Sequence, residues 1–144
     1  MQTLAENRRA KFDYDIAETY EAGIELLGTE VKSIKNGRMN LAGSYAEVRR
    51  GEARLINAEI PPYQPKNAPP DYDPKRSRRL LLRHAEIKEL NGKLHEKGLV
   101  LVPTKAYLKR GFIKIELGLC RSRKKYDKRE LLKKRTAERE MRRR

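Results

Sequence analysis

Residues 98–119, GLVLVPTKAYLKRGFIKIELGL, decide the fold class. GLVLVP is a short apolar run, and FIKIELGL alternates Ile113, Ile115 and Leu117 with Lys114 and Glu116. Successive side chains of a strand point to opposite faces, so the alternation describes a strand with one buried and one wet side. Two strands therefore stand late in the chain. Working back, SYAEVRRGEARLINAEI (44–60) has the form of a hairpin, with strands over 45–48 and 53–60 and Arg50-Gly51 at the turn. YEAGIELLGTEV (20–31) sets Ile24 and Leu26 at period two and predicts a first strand. Several short strands and few helices in 144 residues predict one mainly β domain. Its expected form is an OB-like β-barrel, closed or partly closed, over residues 1–120, with a few accompanying helices.

Two segments read as helix. TEVKSIKNG (29–37) offers Thr29 as N-cap, a face of Val31, Ile34 and Lys35, and Asn36-Gly37 as the stop. RSRRLLLRHAEIKELNGKLHEKG (76–98) has Ile87, Leu90 and Leu94 at helical spacing, with Gly92 and Gly98 as interruptions. Between hairpin and helix, PPYQPKNAPPDYDPKR (61–76) holds six of the seven prolines. Proline donates no ladder hydrogen bond, so the segment is expected to be an exposed loop.

The net charge is +15 and the isoelectric point lies near 10.1. The surplus is uneven: residues 121–144 carry 13 basic and 4 acidic side chains. Such a field favours polyanions. The tail's apolar residues, Leu131, Leu132, Ala137 and Met141, are too few for a membrane-binding stripe, so nucleic acid is favoured over lipid. The start MQTLAENRRAKFDYD lacks a signal-peptide core, and no segment reaches the roughly 20 apolar residues of a membrane helix. A cytoplasmic protein with no membrane partner is expected, and the single Cys120 agrees with a reducing compartment.

Catalysis finds little support. His84 and His95 both fall in the helical segment with no nucleophile pattern near them, and one cysteine with two separated histidines gives no metal-ligand spacing. Neither a GxxxxGK loop nor GxGxxG after a strand is present. No cofactor is expected. Asp71 and Asp73 form the tightest carboxylate cluster, but in a proline-rich loop such residues more often cap turns than hold metal. Glu21 and Glu30 flank the basic N-terminus and a helix start, where a carboxylate accepts either from a base amino group or from the helix itself.

In the tail, SRKKYDKRELLKKRTAEREMRRR (122–144), Asp127 and Glu130 have the spacing of a capping box. Glu130–Lys134, Glu138–Arg142 and Glu140–Arg144 follow at the spacing of four that supports helices. Each pair contributes about 0.2–0.5 kcal/mol against a costly nucleus, so the tail is expected to be disordered when free and helical when bound. Tyr126, set between Lys124-Lys125 and Asp127-Lys128-Arg129, has the surroundings of an aromatic that stacks on an unpaired base. An RNA-binding adaptor, a structural ribosomal protein and an RNase are the readings to weigh.

NRRAKFDY, YEAGIELLGTEVKSIKNGRMNLAGSY, DPKRSRRLLLRHAEI and GLVLVPTKAYLKRGFIKIELGLCRSRKKYDKRE together resemble the SsrA-binding protein family, SmpB, in that family's order and over nearly the whole chain. The resemblance implies a non-catalytic OB-like barrel that grips the tRNA-like domain of transfer-messenger RNA and delivers it to stalled ribosomes, as one copy per RNA. It further implies that the tail probes the small subunit's vacant decoding centre and becomes a helix in the empty messenger channel. Carried onto matching positions, the RNA-gripping residues are Asn7, Arg8, Glu21, Leu81 and Lys114, with Glu21 on a base, Leu81 against an unstacked base and Lys114 at phosphate. The ribosomal contacts are Arg123, Lys124, Tyr126, Asp127, Lys128 and Arg129. Three positions depart from the family pattern: Ser122 stands where a glycine is usual, Gly43 where an aspartate is, and Glu59 where a histidine is.

Overall fold

The computed structural model describes residues 1–96, 98–122 and 135–136. In order these form β1 (Gln2–Glu6), α1 (Arg8–Asp13), β2 (Tyr14–Ile24), α2 (Gly28–Lys35), β3 (Tyr45–Arg49) and β4 (Glu52–Ile56). A 3-10 turn (Pro65–Asn67), β5 (Arg78–Leu81), α3 (His84–Glu96), β6 (Val100–Lys109) and β7 (Phe112–Ser122) complete the chain. No described helix is long and apolar enough to cross a membrane.

The strands form one antiparallel sheet in the order β1-β6-β3-β4-β5-β2-β7, and pairing of β6 with β7 bends it into a ring. The ring is unevenly closed. β7 is paired along most of its length on both sides, whereas β3 meets β6 through the single pair Ala46 and Leu101. The molecule is thus mainly β and barrel-like, as the strand pattern predicts, with a loose seam. Two turns set the registers that matter most: Arg50 and Gly51 (φ 54° and 76°) join β3 to β4, and Arg110 and Gly111 (φ 51° and 82°) join β6 to β7. Paired left-handed residues match the right-handed twist of the flanking strands.

The core contains the residues that the period-two pattern points inward, Ile113, Ile115, Leu117 and Leu119, against Leu55, Leu80 and Leu101. Ile34 of α2 and Leu90 of α3 close it. Cys120 lies in a smaller cluster with Ala10 and Val102, and burial pushes its thiol up to about 11.

Several expectations need correction. The strand expected to be the first is β2: it runs from Tyr14 to Ile24, leaving Leu26 outside it, and β1 (Gln2–Glu6) precedes it. Helix α2 starts behind Leu27, and Thr29 does not cap it; the Glu30 carboxylate accepts the Leu27 N–H at 2.8 Å instead. Its C-terminal stop is the expected one, with Gly37 at φ 73° and its N–H donated to Ile34 O at 2.9 Å. β4 ends at Ile56, where Asn57 turns the chain at φ 66°. The stretch 76–98 is not one helix: β5 occupies its start, with Arg78 and Leu80 inward and Arg79 and Leu81 outward, and α3 begins only at His84. Gly92 sits inside α3 without interrupting it.

The proline-rich loop is fastened at both ends. Ser33 Oγ donates to Pro61 O (2.7 Å), and Ile60 N to Pro74 O (2.9 Å). Beneath it Glu30 and Arg78 are fully buried, with Arg78 Nε 2.7 Å from Glu30 Oε2. Arg76 also pairs with Glu30, and Arg78 donates onward to the carbonyls of Ala58 and Pro74 at 2.9 and 3.0 Å. Asp73 turns the loop, its carboxylate accepting the Lys75 N–H at 2.9 Å.

Candidate nucleic-acid interface

Cross-strand neighbours share a face, so pairing alone locates the outer surface of β1, β6, β7 and β2. One row runs Glu6, Lys105, Glu116, Glu21; the next runs Thr3, Tyr107, Lys114, Gly23, Leu81. Residues as distant in sequence as Glu21, Leu81 and Lys114 therefore meet on one surface.

Glu21 is held in place and still open to solvent. Its Oε2 accepts from Tyr107 Oη at 2.5 Å and from Lys109 Nζ at 3.1 Å, while its side chain stays 41% exposed. The Tyr107 hydrogen bond, then that of Lys109, holds the carboxyl below its ordinary value, and the Lys114 charge adds to this. Tyr107 is pushed the other way, by burial first and by Glu21 second. At neutral pH the site therefore presents a fixed carboxylate beside a neutral phenol.

Leu81 lies 47% exposed beside Gly23. A Cβ on Gly23 would stand 3.2 Å from the Leu81 Cβ, tighter than ordinary contact, so the glycine leaves space for Leu81 against the strand. Gly23, Val31, Leu81, Phe112 and Lys114 line a cleft of about 220 Å³. Phe112 is 69% exposed, and Lys114 Nζ lies 5.9 Å from its ring centroid. An aliphatic wall, an aromatic ring and an ammonium group give a place for an unstacked base with its phosphate. Sequence reasoning does not single out Phe112. The readable signal is the alternation of FIKIELGL, which sets this aromatic on the wet side with Lys114.

The N-terminal pair divides. Asn7 is buried and its amide is fully used: Nδ2 donates to Leu41 O (3.2 Å) and Pro103 O (2.9 Å), and Oδ1 accepts the Ala10 N–H (3.1 Å). It caps α1 and ties it to the sheet. Arg8 follows on the surface, 91% exposed, with Nε 3.8 Å from Glu6, which itself pairs with Lys105 across the strands. Arg8 thus stands at the far end of the surface that carries Glu21.

Glu30, weighed beside Glu21 as a base acceptor, is inside. Burial alone would raise its carboxyl; hydrogen bonds from Arg76, Leu27 N–H and Arg78 outweigh that and hold it below the ordinary value. Of the departures from the family pattern, Gly43 adopts φ 74°, Glu59 forms an isolated bridge with Asn40, and Ser122 is the last residue of β7. Among the described residues no group of three or more His, Cys, Asp and Glu could hold a metal ion. Arg123, Lys124, Tyr126, Asp127, Lys128 and Arg129 lie outside the described residues; β7 delivers the chain to them at Ser122, paired with Tyr14. Arg135 and Thr136 have helical backbone.

The model of the SmpB protein family matches residues 4–144. The SsrA-binding protein of Thermosynechococcus vestitus is 52% identical over 143 residues, covering 99% of this chain and 94% of its own. That of Chlorobaculum tepidum is 54% identical over 140 residues, covering 96% and 88%. A solved chain described under the words "tmRNA-SmpB: a journey to the center of the bacterial ribosome" superposes with a TM-score of 0.69 at 50% identity, covering 84% of this chain and 85% of the other. A match of this extent in sequence and in fold means that the chain belongs to the SmpB family.

Proposed function

We propose that the protein is an RNA-binding adaptor of trans-translation: it binds the tRNA-like domain of transfer-messenger RNA and delivers it to stalled bacterial ribosomes, so that the nascent chain is tagged for degradation. The observation that carries this reading is the convergence of Glu21, Leu81, Phe112 and Lys114 on one outer face of the ring. Glu21 accepts from a base, Leu81 and Phe112 flank an unstacked base, and Lys114 neutralises phosphate. Arg8 adds a phosphate contact at the far end, and Asn7 positions it by capping α1. The protein acts by binding alone, without cofactor or metal, as one copy on one RNA in the cytoplasm.

The domain division belongs to the same reading. The ring, whose β7 extends through Ser122, grips the RNA, and the tail beyond it enters the decoding centre and empty messenger channel. There Tyr126 stacks on a nucleotide, Asp127 starts the helix, and Arg123, Lys124, Lys128 and Arg129 meet ribosomal RNA. Competition gel shifts at one fixed salt concentration test the first half, because counterion release alone moves affinity by orders of magnitude. Preference for the tRNA-like fragment over ordinary tRNA is the expected result, and equal binding of both overturns it. Removing residues 123–144, which leaves β7 whole, is expected to spare fragment binding and abolish rescue of stalled ribosomes in a peptide-tagging assay.

A further inference from the structure

Helix α2 has a second side. Val31 lines the Leu81–Phe112 cleft, whereas Thr29 and Lys32 line another concavity with Pro62, Tyr63, Pro69 and Tyr72. Its volume is about 110 Å³. That is below the roughly 300 Å³ at which drug-sized pockets begin, so one flat ring sets its scale. Tyr63 also borders a more open depression formed with Gln64, Pro65 and Lys66.

The wall is preorganised although it comes from a proline-rich loop. Tyr72 Oη lies 2.7 Å from Ile60 O and 3.1 Å from Glu30 Oε2, and accepts from Arg78 Nη2 at 3.2 Å. Arg38 Nη1 donates to Tyr63 O at 3.3 Å, and Lys32 Nζ stands 5.8 Å from the Tyr63 ring centroid. Three cations, Lys32, Arg38 and Lys66, flank Tyr63. The two acidic residues of the loop, Asp71 and Asp73, line neither concavity. An apolar and aromatic wall with a cationic rim complements a base and its phosphates.

We propose that this Tyr63–Lys32 concavity is a second RNA site, which takes an unpaired nucleotide of ribosomal RNA, its base stacking on Tyr63 and its phosphates on Lys32 and Lys66. The proposal rests on the adaptor reading above. An adaptor that delivers one RNA to another needs a face that stays open once the first RNA is bound, and α2 separates this concavity from the Leu81–Phe112 cleft.

The test uses full-length protein and two separate measurements: affinity for the tRNA-like fragment, and binding of the preassembled complex with transfer-messenger RNA to ribosomes with an empty decoding site. Tyr63→Ala is expected to weaken ribosome binding about 5- to 100-fold, the range of one lost base stack. Its fragment affinity stays within about twofold of wild type, and Tyr63→Phe retains ribosome binding. Equal loss in both measurements assigns the site to the carried RNA and overturns the proposal. No loss in either, or Tyr63→Phe as damaging as Tyr63→Ala, overturns it as well. Should Tyr63→Ala melt early, Lys32→Glu takes its place in both measurements: weakened ribosome binding with fragment affinity kept supports the site, and any other pattern overturns it. Failure of the parent reading shows separately, as wild-type protein that does not prefer the fragment over ordinary tRNA.

Discussion

Two glutamates nine positions apart divide the molecule between recognition and architecture. Glu21 stands on the outer face with one phenol and one ammonium group on it, and remains open to solvent. Glu30 is sealed beneath the proline-rich loop with Arg76, Arg78, Tyr72 and the Leu27 N–H on its two oxygens. Both carboxyls are held below their ordinary value, for different reasons. Glu21 is lowered by partners at the surface, whereas Glu30 must first overcome its own burial. A lowered carboxyl is thus no mark of a binding site; what separates the two is whether acceptor capacity is left facing water.

The largest effect is expected for Glu30→Ala. It leaves the buried Arg78 guanidinium without its counter-charge, a loss expected to cost about 3–5 kcal/mol. For 144 residues this lowers the melting temperature by roughly 10 °C or more, read by circular dichroism. A change under about 2 °C would mean that the network contributes little to the fold.

The opposite pattern is expected for Glu21→Ala. Affinity for the tRNA-like fragment falls about 5- to 150-fold, the value of one base contact, in a gel shift at fixed salt. Stability changes far less than in Glu30→Ala, because Glu21 stays open to solvent. Simultaneous loss of both would place Glu21 with Glu30 as a structural residue.

Lys114→Ala separates charge from shape on the same face. It is expected to reduce the slope of log affinity against log salt by about 1 while leaving preference among RNAs nearly unchanged. A change in preference without a change in slope would contradict a phosphate contact.

The smallest effect is in acid. Because the folded-state value of Glu30 lies below the unfolded one, its contribution is complete above the unfolded value of about 4.3 and disappears as pH falls through the folded value. Urea midpoints between about pH 6 and pH 3 should fall in wild type and flatten in Glu30→Gln. An equal fall in both would assign the acid sensitivity to other carboxyls.

Why the sequence misleads at β5 is visible in the same pair. RSRRLLL carries the period-two pattern of a strand only if Arg78 counts as an inward residue together with Leu80. Arginine is inward here because Glu30, 48 positions earlier, supplies the counter-charge. No local window contains that information. The early part of β2 is equally hidden, since Asp15 through Thr19 are exposed and show no apolar alternation; pairing to β7 makes that segment a strand.

What depends on neighbours a few residues apart is written in the sequence alone. That includes the hairpin turn at Arg50-Gly51, the stop of α2 at Asn36-Gly37, the alternation of β7 and the concentration of positive charge in residues 121–144. Turn dihedrals, caps and side-chain periodicity are local, and so are legible along the chain. Only the packed molecule puts Asn7 and Glu30 inside, leaves Leu81 and Phe112 outside, and brings Glu21, Leu81 and Lys114 onto one face. Those outcomes follow from strand registers between distant segments, which are set where the whole core packs and every buried polar group finds its partner.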